Sequence, residues 1–121
     1  MIWYYDYMTR HEPVIYRGQM SAAERQLRSA VNRLLSGHGI VHGTLIWRKR
    51  VCGKSTCRCA KGHLHRSLYL VVTEAGKGRQ MYVPRQWESA VRQWIDNYAK
   101  ARQLMDDLSR LHWEKVRRRQ D

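Results

Sequence analysis

The only cysteines in this 121-residue chain, Cys52, Cys57 and Cys59, fall within eight positions of one another as C-x4-C-x-C. Two histidines, His63 and His65, follow directly and extend the pattern to C-x4-C-x-C-x3-H-x-H. Three thiolates and one imidazole make a complete tetrahedral shell for zinc, with no position left open for a reacting water. Gly53 and Gly62 supply the backbone freedom that such tight wrapping needs. Nearby Arg50, Lys54, Arg58 and Lys61 would offset the net negative charge of three thiolates on a divalent ion. The spacing differs from the C-x2-C of common zinc fingers, and an odd, clustered set does not make a disulfide framework. We therefore expect one structural zinc on Cys52, Cys57, Cys59 and His65, with His63 the alternative imidazole. Free thiols without metal, or a redox or cluster-bearing site, are the competing readings. His11, His38, His42 and His112 are read as surface or packing residues.

The charge around this cluster points to the partner. Lys and Arg number 23 against 10 Asp and Glu, a formal net charge of +13. From Arg25 to Thr73, 49 residues, no carboxylate occurs, yet ten basic residues do. Seven of these, Arg48, Lys49, Arg50, Lys54, Arg58, Lys61 and Arg66, crowd into positions 48–66. A face kept for solubility would mix signs, so one-signed crowding on this scale points to a polyanion, and nucleic acid is the expected partner. Trp47 beside them is a candidate stacking platform, and Arg117, Arg118 and Arg119 at the end of the chain a further phosphate-binding set. A hydrophobic content of 43% with five Trp and seven Tyr is too high for a disordered basic tail. No run approaches the ~18 apolar residues of a membrane span. The opening MIWYYDYMTR does not read as a secretory leader, and a cytoplasmic protein without membrane contact is expected.

The elements that would hold these residues follow from periodicity. Residues 1–20 read as an irregular aromatic segment. Ser21 and Glu24 form a capping box, and Leu27, Val31, Leu34 and Leu35 follow at helical spacing, which predicts a helix over 21–36. Three strands are predicted within 40–84: 43–51, 68–73 and 79–83, with 74–78 a glycine-bearing hairpin loop and the cysteine segment between the first two. Pro84 then opens a long helix over 85–119 with no further Gly or Pro. Its Trp87, Val91, Trp94, Tyr98, Ala101, Met105 and Leu108 recur at steps of four and three. The first half of this stripe should cover the sheet, and the distal half should meet the first helix or another subunit. The expected fold is a single α+β domain: a three-stranded antiparallel sheet with a Cys3His knuckle, an N-terminal helix and a long C-terminal helix.

At this point the chain resembles a small bacterial family of unknown function. The resemblance is carried by Cys52-Gly53-Lys54, Cys57-Arg58-Cys59-Ala60, Gly62, His65, Tyr69, Tyr82-Val83-Pro84, and Val91-Arg92 through Asn97-Tyr98, over roughly residues 40–108. Where that family often has Gly-Pro after the histidine, this chain has Arg66-Ser67. Such proteins look like products of mobile-element or transposase-associated genes, so the resemblance implies a class of partner and no activity.

Catalysis finds little support. Asp106 and Asp107 are the only adjacent carboxylates, and neighbours on a helix point apart. There is no phosphate loop, and no HxE followed by PCxxC of the zinc deaminases. The leading expectation is a non-enzymatic, zinc-stabilised nucleic-acid-binding accessory protein, favouring RNA or single-stranded DNA, within a larger nucleoprotein complex of a mobile element or defence system. The alternatives are a protein–protein adaptor, docking through the long helix onto a nuclease, transposase or second copy, and a thiol-based redox protein.

Overall fold

A computed structural model describes residues 17–51 and 53–119, apart from the side chains of Arg17 and Cys59. The aromatic segment is therefore outside the described residues up to position 16, and so is Cys52. The architecture is the expected α+β one, with a three-stranded antiparallel sheet, an N-terminal helix and a long C-terminal helix.

Helix α1 spans Ala22–Leu35. Ser21 caps it, its Oγ accepting from the Glu24 amide at 3.1 Å. Glu24 does not return the bond, as a capping box requires. Its carboxylate is 1% exposed and bonds instead to Arg28 Nε at 2.9 Å and, across the molecule, to Lys115 Nζ at 3.5 Å. Leu27, Val31 and Leu34 turn inward, whereas Leu35, expected on the same stripe, is 52% exposed.

Strands β1 (Thr44–Arg50), β2 (His65–Glu74) and β3 (Lys77–Val83) form the sheet in the order β1-β2-β3. Register pairs Trp47 with Leu68 and Arg50 with His65 on one side of β2, and Tyr69 with Tyr82 on the other. β2 is longer than expected and begins at His65 itself. The predicted five-residue loop shrinks accordingly to Ala75-Gly76, because Glu74 already pairs with Lys77. Both turn residues have positive φ, 51° and 79°, as a type I′ hairpin turn requires.

After Pro84 a short turn, Arg85–Trp87, leads into α2, Glu88–Arg119. Its first half covers one sheet face. Leu68, Val83 and Val91 are the buried centre, with Leu45, Leu70, Trp94 and Ile95 packed around them. The chain before β1 is pinned to the same helix: Val41 N–H donates to the Trp94 carbonyl at 3.1 Å, and buried Asn97 donates Nδ2 to the Gly39 carbonyl at 3.0 Å. The approach is so close that a Cβ on Gly39 would stand 2.2 Å from Trp94 Nε1. Beyond the sheet, α2 packs on α1. The inward stripe there runs through Ala101, Leu104, Leu108 and Leu111. Met105, expected in it, is 57% exposed, and Trp87 at the helix start is 50% exposed. The buried line turns toward Leu104 because the partner changes along the helix, from the sheet beneath Val91, Trp94 and Ile95 to α1 beyond it.

Candidate metal centre and nucleic-acid interface

The cysteine segment folds by consecutive tight turns between β1 and β2. Cys57 N–H donates to the Lys54 carbonyl and Ala60 N–H to the Cys57 carbonyl, both at 3.1 Å. The second turn belongs to a short 3-10 helix, Arg58–Lys61. His63 N–H then reaches back to the Arg58 carbonyl at 3.2 Å while Gly62 takes φ 100°. That six-to-one bond over a left-handed glycine is a Schellman-type stop, and it turns the chain into β2.

The consequence is a meeting of two predicted ligands. Cys57 Sγ lies 3.1 Å from His65 Nε2. On one tetrahedral zinc, with bonds of about 2.3 and 2.0–2.1 Å, a sulfur and a nitrogen stand about 3.5 Å apart. The pair therefore fits a shared ion after a small adjustment. The pairing depends on the loop's turns bringing Cys57 back to the first residue of β2. His63 is exposed, its amide held in the turn. Among the described residues no third His, Cys, Asp or Glu joins the pair. The proposed ligands Cys52 and the Cys59 side chain lie outside the described residues, although the Cys59 backbone sits in the 3-10 turn one residue beyond Arg58.

The basic residues divide between two faces. Alternation along the strands sets Arg48, Arg50, His65, Tyr69 and Tyr82 on the face away from α2. The Arg48 guanidinium lies 5.9 Å over Tyr69 and that of Arg50 5.0 Å over Tyr82. Arg48 also bonds Gln80, and Arg50 Nε donates to Ser67 Oγ at 3.0 Å. Trp47, Lys49 and Arg66 have the opposite parity, on the α2 side, with Arg66 5.1 Å over the Trp47 ring. The structure thus sets Trp47 on the face opposite Arg48 and Arg50. Lys54, Arg58 and Lys61 are exposed on the loop. Among the described residues, none of the seven basic residues between 48 and 66 forms an ion pair.

Arg117, Arg118 and Arg119 do not join this set. They close α2, and Arg117 is about 33 Å along the helix axis from Ile95, the last helix residue against the sheet core. Arg117 is paired with Glu114 at 2.7 Å and laid 6.0 Å over Trp113. Sequence reasoning missed Tyr69 and Tyr82 as functional candidates. Their signal was present as facing tyrosines on adjacent strands, but it becomes readable only once the register is known.

No helix among the described residues is long and apolar enough to cross a membrane. Neither a curated protein nor a solved structure matches the chain. A family model does match, over residues 19–93, a span that takes in α1, all three strands, the cysteine loop and the start of α2. That is more than half of the 121 residues, and the chain belongs to the family described as Domain of unknown function (DUF6788).

Proposed function

We propose that this protein is a zinc-stabilised nucleic-acid-binding accessory module, a binding protein and not an enzyme. The observation that carries the reading is the set of seven cations between positions 48 and 66 that no described carboxylate neutralises. Unpaired cations on one end of a sheet repel one another, and phosphates relieve that repulsion while releasing their own counterions. Arg48, Arg50, Lys54, Arg58 and Lys61 are the principal phosphate contacts, with Lys49, Arg66 and Trp47 on the opposite face of the sheet. Zinc on Cys52, Cys57, Cys59 and His65 would hold the loop in its binding shape, so that its lysines and arginines need no ordering on contact. The close approach of Cys57 and His65 supports that metal reading. The setting in a mobile element rests on the motif resemblance.

The test is a salt titration of binding to RNA, single-stranded DNA and duplex DNA. Phosphate contact gives a steep linear fall of log affinity with log salt. A flat dependence, or no binding to any of the three, refutes the reading.

A second reading draws on Met105, Trp113 and Val116, which are 57%, 49% and 60% exposed along the distal part of α2. An apolar strip on a charged helix fits docking of a protein partner or a second copy. Light scattering of Met105→Glu beside the unchanged protein checks for self-association there.

A further inference from the structure

We propose that the sheet face opposite α2 is a stacking platform for an unpaired nucleic-acid strand, with Tyr69 and Tyr82 as the base-binding rings. This rests on the nucleic-acid reading above and adds the surface and the residues that select an unpaired strand. Tyr69 on β2 and Tyr82 on β3 are directly paired in register, with ring centroids 6.0 Å apart and planes at 67°. Tyr82 is 51% exposed. α2 lies on the other face, since its contacts with the sheet core run through Leu68 and Val83, which have the other parity, and α1 packs on α2.

The charge on the face suits the same occupant. Glu74 is the only acid in the three strands; it falls on the α2 side by alternation and is paired with Arg79 at 2.8 Å. The platform therefore presents Arg48 and Arg50 and no carboxylate. Each guanidinium already lies over one of the two rings. A planar guanidinium is weakly hydrated and is itself a stacking surface, so a base, a guanidinium and a tyrosine can share one stack while the cation meets the adjacent phosphate. The basic loop stands at the His65 end of the face, where a strand leaving Tyr69 or Tyr82 would continue across Lys54, Arg58 and Lys61.

The arrangement discriminates by strand state. In a duplex, both faces of each base are occupied by neighbours, and a flat sheet cannot reach between them. In an unpaired strand the faces are available, and stacking tolerates any base.

The experiment measures binding of a fluorescent 15-mer of oligo(U), the equivalent oligo(dT) and a 15-base-pair duplex by Tyr82→Leu, Tyr69→Leu and Tyr82→Phe proteins. Thermal melts confirm that each variant is folded. The expected result is tighter binding of the single strands by the unchanged protein, a loss of roughly tenfold or more in each leucine variant with an unchanged salt slope, and retention in Tyr82→Phe, which keeps the ring. A base-analogue oligonucleotide whose fluorescence is quenched by stacking should lose its quenching in the leucine variants. If the unchanged protein binds single strands but the leucine variants bind equally well, or the duplex binds as tightly, the platform is refuted and the broader reading stands. If the unchanged protein binds no nucleic acid, that broader reading fails first. If the substitutions change oligomeric state and not oligonucleotide affinity, the face joins copies of this chain and the proposal is overturned.

Discussion

Cys57 and His65 are separated by eight residues and meet at 3.1 Å. If they share zinc, Cys57→Ser and His65→Ala should both lose metal and stability, whereas His63→Ala should not. Metal analysis of the purified protein should return about one zinc per chain, and a chelator should lower its melting temperature, because ligand binding energy is folding energy in such sites. Metal-free protein with unchanged melting in Cys57→Ser would leave only a thiol–imidazole contact. Ala75 offers a separate test. It holds φ 51° in a turn that favours Asn or Gly, and a left-handed conformation costs an ordinary L-residue about 1–2 kcal/mol. Ala75→Asn should therefore stabilise the fold by up to about 1 kcal/mol, read by denaturant melts at constant m-value.

The two helices are joined by a buried polar contact as well as by leucines. Burial alone would raise the Glu24 pKa, but hydrogen bonds from Arg28 and Lys115, and their charges, outweigh it and hold the carboxyl below its ordinary range. His112 Nε2 also stands nearby, 3.6 Å from Glu24 Oε2. A depressed folded-state value means the unfolded chain binds the proton first. The contribution is complete above the ordinary carboxylate range and is lost as pH falls through the folded value. Glu24→Gln should accordingly destabilise the protein near neutrality and flatten its loss of stability between about pH 6 and pH 3. An acid limb identical to that of the unchanged protein would dissociate Glu24 from it. The segment before β1 is held still more tightly against α2 at Gly39, where a methyl group would meet the Trp94 indole at 2.2 Å. Gly39→Ala should lower the melting temperature by several degrees, since neither backbone nor a packed indole yields cheaply.

Across the molecule, charge is arranged so that ion pairs gather on the helices and the Glu74 hairpin, while the β1–loop–β2 end has none among the described residues. Replacing Arg50, Lys54, Arg58 and Lys61 together by Ala should weaken nucleic-acid binding whatever the base sequence. It should also reduce the salt slope by roughly one unit per lost contact. Replacing Arg117, Arg118 and Arg119 should change much less, because they lie far along α2 and Arg117 is already paired. Equal effects of the two sets would mean that the bound strand runs the length of α2.

Composition and local pattern were enough for the α+β architecture. Ser21 before an apolar 3.6-residue stripe, β-branched runs broken by glycines, and Pro84 before a Gly-free stretch each act over a few residues, and such local preferences are readable without a partner. The carboxylate-free interval and the cysteine spacing are likewise linear properties. Three features lay beyond that range. Glu24 reads locally as half of a capping box, but of its two cations only Arg28 is local; Lys115 lies 91 residues away, and only the packing of α2 on α1 brings it there. Leu104 displaces Met105 from the stripe because the distal half of α2 packs on α1 and not on the sheet, which buries a different face of the helix. Finally, Trp47 is an exposed aromatic beside arginines in the sequence, yet Tyr69 and Tyr82 are the rings that share a face with Arg48 and Arg50. Side chains alternate along a strand, so neighbours in sequence are separated by the sheet, and residues from three strands are united only by long-range register.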